Sequence, residues 1–191
     1  MTTNTTNQEF FDAKYRENDD PWAFASNEYE QNRYSETIRA LDNRRYRRAF
    51  EPGCSIGILT SRLASICEHV DAIDISPTAV TRAQQCCANL SNVNIWCGSL
   101  LNDVPPGTFD LVILSEIGYY FDREELFQVG SDLVGRLDRS GVLLAVHWLG
   151  HSADHWLDGD SVHEILSDLG GLTLEYSERF TGFRIDRWVR E

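Results

Sequence analysis

From Arg48 onward the sequence alternates short apolar runs with amphipathic stretches, and this rhythm admits few architectures. The apolar runs fall at Arg48 to Glu51, Val70 to Ile75, Val93 to Trp96, Phe109 to Leu114 and Val142 to Trp148. Between them the spacing predicts helices over Ile58 to Ile66, Thr78 to Asn89 and Arg123 to Leu137. Strands reached repeatedly through a crossover helix run parallel, with helices on both faces. The last segment breaks the rhythm: Leu172 to Phe180 and Phe183 to Arg190 are separated only by Thr181-Gly182, which predicts an antiparallel hairpin. The expected fold is α/β, a seven-stranded and mostly parallel sheet that ends in that hairpin. A dinucleotide-binding sheet would close instead with another crossover and a parallel strand.

Upstream, residues 1–8 are rich in Thr and Asn and predict a frayed end. Phe10, Phe11 and Tyr15 form a short helical stripe, which Asn18-Asp19-Asp20-Pro21 stops. A second helix is expected from Asn27, with Glu30 completing a capping box and Tyr34, Ile38 and Leu41 facing inward. At 191 residues the chain fits one domain. We expect a helical preface or lid over 1–47 and a core over 48–191.

The formal net charge is −13, Lys14 is the only lysine, and nearly all the acidic excess lies beyond residue 50. A phosphate backbone is held by clustered Lys and Arg, so nucleic acid is not an expected partner. The surplus serves solubility and a preference for cationic or neutral ligands. No apolar run approaches the length of a membrane helix, and MTTNTTNQEF lacks a basic and apolar leader pattern. Five cysteines without CxxC or zinc-ligand spacing read as thiols of a reducing compartment. A cytoplasmic protein is expected, with a small-molecule partner and no membrane; nothing in the sequence assigns an oligomeric state.

The first strand runs into Glu51-Pro52-Gly53-Cys54-Ser55-Ile56-Gly57. Gly53 permits a tight turn against a ligand, and Gly57 lets the helix start lie close to the strand. Ser55 occupies the place of the middle glycine through which a pyrophosphate approaches in G-x-G-x-x-G, and Glu51 would repel a diphosphate. The second strand ends at Asp74, 21 residues after Gly53, where a carboxylate accepts both ribose hydroxyls of a nucleoside. An adenosine carrying positive charge meets these conditions. The expected cofactor is S-adenosylmethionine, with S-adenosylhomocysteine as product.

Through EPGCSIG, DAIDIS, FDLVILSEIGYY and the closing hairpin, residues 45–190 resemble the class I S-adenosylmethionine-dependent methyltransferases. The resemblance is narrower to the branch typified by nodulation protein S. It rests there on Asp20-Pro21-Trp22, Tyr29-Glu30 with Arg33-Tyr34, EPGCSIGILTSRLA, SEIGYY, and His147-Trp148 followed by Gly159-Asp160-Ser161-Val162-His163. It implies the Rossmann-like class I methyltransferase fold with an N-terminal helical extension. It also implies that Gly53 lies under the methionine portion of the cofactor, that Asp74 binds the ribose and that Ile75 covers the adenine. Ser99 stands where many class I enzymes carry an acid for the adenine amino group, leaving that contact to the Leu100 backbone. Trp22, Arg33 and Tyr34 are expected to close the preface over the cofactor and hold its carboxylate. The competing readings are core packing for Trp22 and Tyr34 and a solvated helix face for Arg33.

The fourth strand ends in Ser115-Glu116-Ile117-Gly118-Tyr119-Tyr120, at the edge where such sheets place their chemistry. Ser115 is assigned to the cofactor, and Glu116 to orienting an ammonium group or accepting its proton, against a purely hydrogen-bonding role. Tyr119 and Tyr120 form an electron-rich wall, one of the two serving only packing. His147, at a strand end, is assigned as general base. Asp160 and His163 are assigned to substrate, with Asp160 as a mere N-cap the alternative. His147, His151 and His155 recur every four residues, yet Gly150 and a strand end interrupt any shared face, so no metal is expected. The nodulation protein S branch implies methyl transfer to a free amino group of a sugar or of an oligosaccharide that has lost an acyl group. An O-methyltransferase of a small hydroxylated metabolite and a non-catalytic cofactor-binding module remain open.

Overall fold

The computed structural model describes residues 7–191. Residues 1–6 of the stretch expected to fray lie outside the described residues, while Asn7 caps a helix that Gln8 opens. Its elements are α1 (Gln8–Glu17), α2 (Glu28–Ala40), β1 (Tyr46–Pro52), α3 (Ile58–Leu63), β2 (Cys67–Asp74), α4 (Pro77–Cys86) and β3 (Val93–Cys97). They continue with β4 (Phe109–Ser115), a 3-10 turn (Gly118–Tyr120), α5 (Arg123–Arg136), β5 (Leu137–Trp148), α6 (Gly159–Ser167), β6 (Leu172–Arg179) and β7 (Phe183–Arg190).

Local chemistry sets the helix starts. Asn7, Ser76 and Asp158 cap α1, α4 and α6 by accepting a main-chain N–H, and Pro77 adds a preset φ to α4. Asp122 and Glu125 make a reciprocal capping box on α5. Asn27 caps α2 as expected, but Glu30 does not complete a box; its carboxylate turns inward to Arg33.

The sheet order is β3-β2-β1-β4-β5-β7-β6. Pairing is parallel from β3 to β5 and antiparallel at β5–β7 and β6–β7, so the terminal hairpin inserts its second strand beside β5. Alternate residues feed opposite faces. Phe50, Val112, Leu114 and Leu143 pack with Leu126 and Leu133 of α5 and Ile165 of α6. Ala49, Leu111, Ile113 and Leu144 pack on the other face with Leu59 and Leu63 of α3 and Tyr34 of α2. One helix of the preface, α2, thus packs against this face of the sheet. The other, α1, lies on α4. From β1 the chain crosses toward β2, and from β4 toward β5. This reversal opens a crevice at the carboxyl ends of β1 and β4.

Candidate active site

A cavity of about 490 Å³ fills that crevice. Its floor is the corner after β1. Gly53 adopts φ +75° with Ile117 Cγ2 at 3.2 Å from where a Cβ would stand, so a side chain there would press on the loop after β4. Gly57 adopts φ +83°, and its close neighbour is Ala83 of α4, at 3.0 Å, rather than the strand. The Ser55 amide donates to Asp74 Oδ2 at 2.9 Å and the Ser76 amide to Asp74 Oδ1 at 2.9 Å, so one carboxylate braces the corner and starts α4. Each oxygen keeps a lone pair for a further donor.

Burial pushes Asp74 up to about 6 against those two amide bonds. Burial likewise pushes Glu51 up to about 8, and Glu51 Oε2 is buried without a hydrogen-bond partner. Glu51 is therefore a protonated acid at neutral pH until a cation or donor arrives beside it. In all, Glu30, Glu51, Asp74, Glu116 and Asp154 line the cavity against the cations Lys14 and Arg33.

The preface supplies the roof. Arg33, 1% exposed, lies between Glu30 and Glu116, with Nη1 at 2.6 Å from Glu116 Oε2. Burial works against its charge, but Glu116 and then Glu30 raise it further above the usual arginine range. Tyr15, Trp22, Phe24 and Tyr34 follow one another ring to ring, with Trp22 stacked on Phe24 at 5.6 Å. Tyr15 also donates its hydroxyl to Ser55 Oγ, and Asp12 accepts from Ser76 Oγ at 2.7 Å and from the Thr78 amide at 3.0 Å, fastening α1 over the corner.

At the far end Glu116, with φ +59°, accepts from Trp148 N at 2.6 Å and from the Tyr119 hydroxyl at 2.8 Å. Tyr119 stacks on His155 at 3.7 Å between ring centres, and Tyr120 meets both rings edge-on. Burial raises both phenols, so they stay protonated. His155 is lowered by burial against the pull of Asp154 and Glu116 and is a neutral base near pH 7.

Thirteen of the sixteen residues singled out in the sequence line this cavity: Trp22, Arg33, Tyr34, Glu51, Gly53, Asp74, Ile75, Ser99, Leu100, Ser115, Glu116, Tyr119 and Tyr120. Three do not. His147 is fully buried and Nε2 already accepts the Gly118 amide at 3.1 Å, so it meets no substrate and is not the general base expected. His163 is equally buried, between His147 and Asp186. Asp160 faces away toward Arg184, at 3.2 Å, and Arg179 of the hairpin, and Asp158 is the N-cap of α6. Sequence reasoning passed over Tyr15, Glu30 and His155. For His155 the signal was its interleaving with Asp154, set aside along with the metal reading. Among the described residues no cluster of three or more His, Cys, Asp or Glu has metal-binding geometry.

The family model described as nodulation protein S (NodS) matches residues 3–146. The chain is similar to nodulation protein S of Sinorhizobium fredii (strain NBRC 101917 / NGR234), 30% identical over 125 residues, which is 64% of this chain and 58% of that protein. It therefore spans about three fifths of that relative's length. Among solved structures it is similar to N-methyltransferase NodS from Bradyrhizobium japonicum WM9 in complex with S-adenosyl-L-homocysteine. There the TM-score is 0.84 and the identity 23%, over 96% of this chain and 98% of that one. It is also similar to a putative methyltransferase from Pseudomonas syringae, with TM-score 0.76 and 33% identity over 85% of this chain and 99% of that one.

Proposed function

The chain belongs to the nodulation protein S family, and from that premise we propose that it transfers a methyl group from S-adenosylmethionine to the free amino group of a small acceptor, an amino sugar or a deacylated oligosaccharide. The observation that carries this reading is the composition of one cavity. A braced nucleoside corner, a wall of aromatic rings and five acidic side chains against two cations meet in it.

The residues fit the cofactor. Asp74 keeps a lone pair on each oxygen for the ribose hydroxyls, and the buried Glu51 Oε2, which has no hydrogen-bond partner, would accept from the cofactor's ammonium group. Ile75, Ser99 and Leu100 line the side assigned to the base, and Ser115 the floor. When bound, the cofactor supplies an electrophilic methyl on a sulfonium.

The remaining work is alignment, for which holding the partners in place accounts for roughly 7–11 kcal/mol in favourable cases. Tyr119 and Tyr120 present ring surface to a cationic methyl. Glu116 orients the incoming ammonium while it holds Arg33. His155 accepts the proton that the amine must lose before its lone pair is free.

The test pairs calorimetric titration of S-adenosylhomocysteine with methyl release over a panel of amino sugars and their acetylated and hydroxylated counterparts. Binding with turnover of free amines only supports the proposal. Turnover of hydroxyl acceptors alone replaces it with O-methylation, and binding without turnover on either panel replaces it with a cofactor-binding module.

A further inference from the structure

Two histidines that do not line the cavity, His147 at the end of β5 and His163 on α6, meet beneath its acceptor end. They belong to one hydrogen-bonded file. The Gly118 amide reaches His147 Nε2 at 3.1 Å, His147 Nδ1 lies 3.2 Å from His163 Nε2, and His163 Nδ1 lies 2.8 Å from Asp186 Oδ2. Arg184 Nη2 closes the far end at 2.7 Å from Asp186 Oδ2. His147, His163 and Asp186 are fully buried.

One end of the file fixes all its protons. A main-chain N–H only donates, so His147 Nε2 carries a lone pair and its proton sits on Nδ1. That proton points at His163 Nε2, which must accept it, leaving the second proton on His163 Nδ1, directed at Asp186. Both rings are neutral and both hold the Nδ1–H tautomer, the minor one for free imidazole in water. Burial lowers both rings. The groups facing them, beyond each other, are Arg33 of α2, Tyr119 of the 3-10 turn, its ring centre 5.4 Å from that of His147, His155 of the loop after β5, Asp160 of α6 and Arg184 and Asp186 of β7. Because the file ends on an amide that neither gives up nor takes a proton, it carries no proton to the cavity.

We propose that His147 is a positioning residue for methyl transfer: it holds Gly118, and with it the 3-10 turn that carries Tyr119 and Tyr120 into the acceptor end, while His163 and Asp186 fix its tautomer. The turn has no slack. A Cβ on Gly118 would stand 2.5 Å from Val162 Cγ1 and 2.9 Å from His147 Nε2. Tyr119 in turn carries His155 on its ring and Glu116 on its hydroxyl, and its carbonyl accepts the Trp156 amide at 2.8 Å. A shift of Gly118 therefore displaces the wall, the proton acceptor and the orienting carboxylate together.

This inference rests on the methyl-transfer reading for its effect on rate, but the tautomers are measured without turnover. Nitrogen-15 NMR of the wild-type chain should show His147 and His163 protonated on Nδ1 and not titrating between about pH 6 and 8. His147→Gln keeps an acceptor for Gly118 and a donor for His163, whereas His147→Leu keeps neither. We expect kcat to fall about 100-fold in His147→Leu with S-adenosylhomocysteine affinity and the pH profile unchanged, and His147→Gln to restore most of the rate. An Nε2–H or titrating ring at His147 overturns the proposal, as does a folded, cofactor-binding His147→Gln as slow as His147→Leu. Wild-type chain that binds no S-adenosylhomocysteine and turns over no acceptor refutes methyl transfer instead, and leaves the NMR result to decide the file.

Discussion

The Arg33 guanidinium meets the Glu116 carboxylate at 2.6 Å, joining the preface helix α2 to the turn after β4 through a single buried ion pair. Glu30 completes a charged triad whose net charge is negative. Removing the cation leaves two mostly buried carboxylates facing each other at the cavity wall. Arg33→Met should therefore destabilise the chain by about 3–5 kcal/mol, read as a shift of the urea midpoint at constant slope. A loss below about 1 kcal/mol, the range of exposed pairs, would show that water screens the triad.

Asp74 does two things at once, bracing Ser55 and facing the ribose site. Asp74→Ala should weaken S-adenosylhomocysteine by about 10- to 100-fold, the cost of losing charge-assisted hydrogen bonds. Asp74→Asn keeps an acceptor for Ser55 and isolates the ribose contribution. Unchanged affinity in both variants, measured by calorimetry, removes Asp74 from the nucleoside site.

Glu51 is protonated in the folded, ligand-free chain at pH values where the unfolded chain has it ionised. Its folded pKa of about 8 stands above the ordinary 4.5, so the folded state binds more protons through that window and stability falls as pH rises. The slope is at most about 1.4 kcal/mol per pH unit. Thermal unfolding from pH 5 to pH 9 should show this decline, and Glu51→Gln should flatten it. A decline of equal size in Glu51→Gln would assign it to other groups.

His155 offers an unprotonated ring to the acceptor end. Its pKa is lowered, so wild-type kcat should hold through neutral pH and fall only below about pH 6.5, the ordinary histidine value. His155→Ala should remove that acid limb and cost about 100-fold in rate with cofactor affinity retained. A variant that keeps the limb moves the proton acceptor to another group.

The architecture was legible because it is written in periods. Apolar runs spaced for crossovers gave the parallel strands, and Thr181-Gly182 gave the hairpin. Strand limits were less legible. β5 begins at Leu137, earlier than its apolar run, because Asp138 to Gly141 form an irregular stretch with Ser140 at φ +60° and a register shift opposite β4. In the site, single residues ahead of a turn or at a strand end read well: Gly53, Asp74 and Glu116 all reach the cavity. Long-range pairing was invisible. Arg33 reads as a contact for the cofactor's carboxylate, or else as a solvated helix charge, until Glu116 is brought to it. His147 looks like an available base until Gly118 and His163 fill both its nitrogens.

Lys14 lines the cavity and is the only lysine in the chain. The molecule thus offers a single side-chain amine to acylating reagents, set beside the ligand it would report on. A fluorophore or crosslinker attached there marks the site at one position, with no lysine elsewhere to dilute the signal.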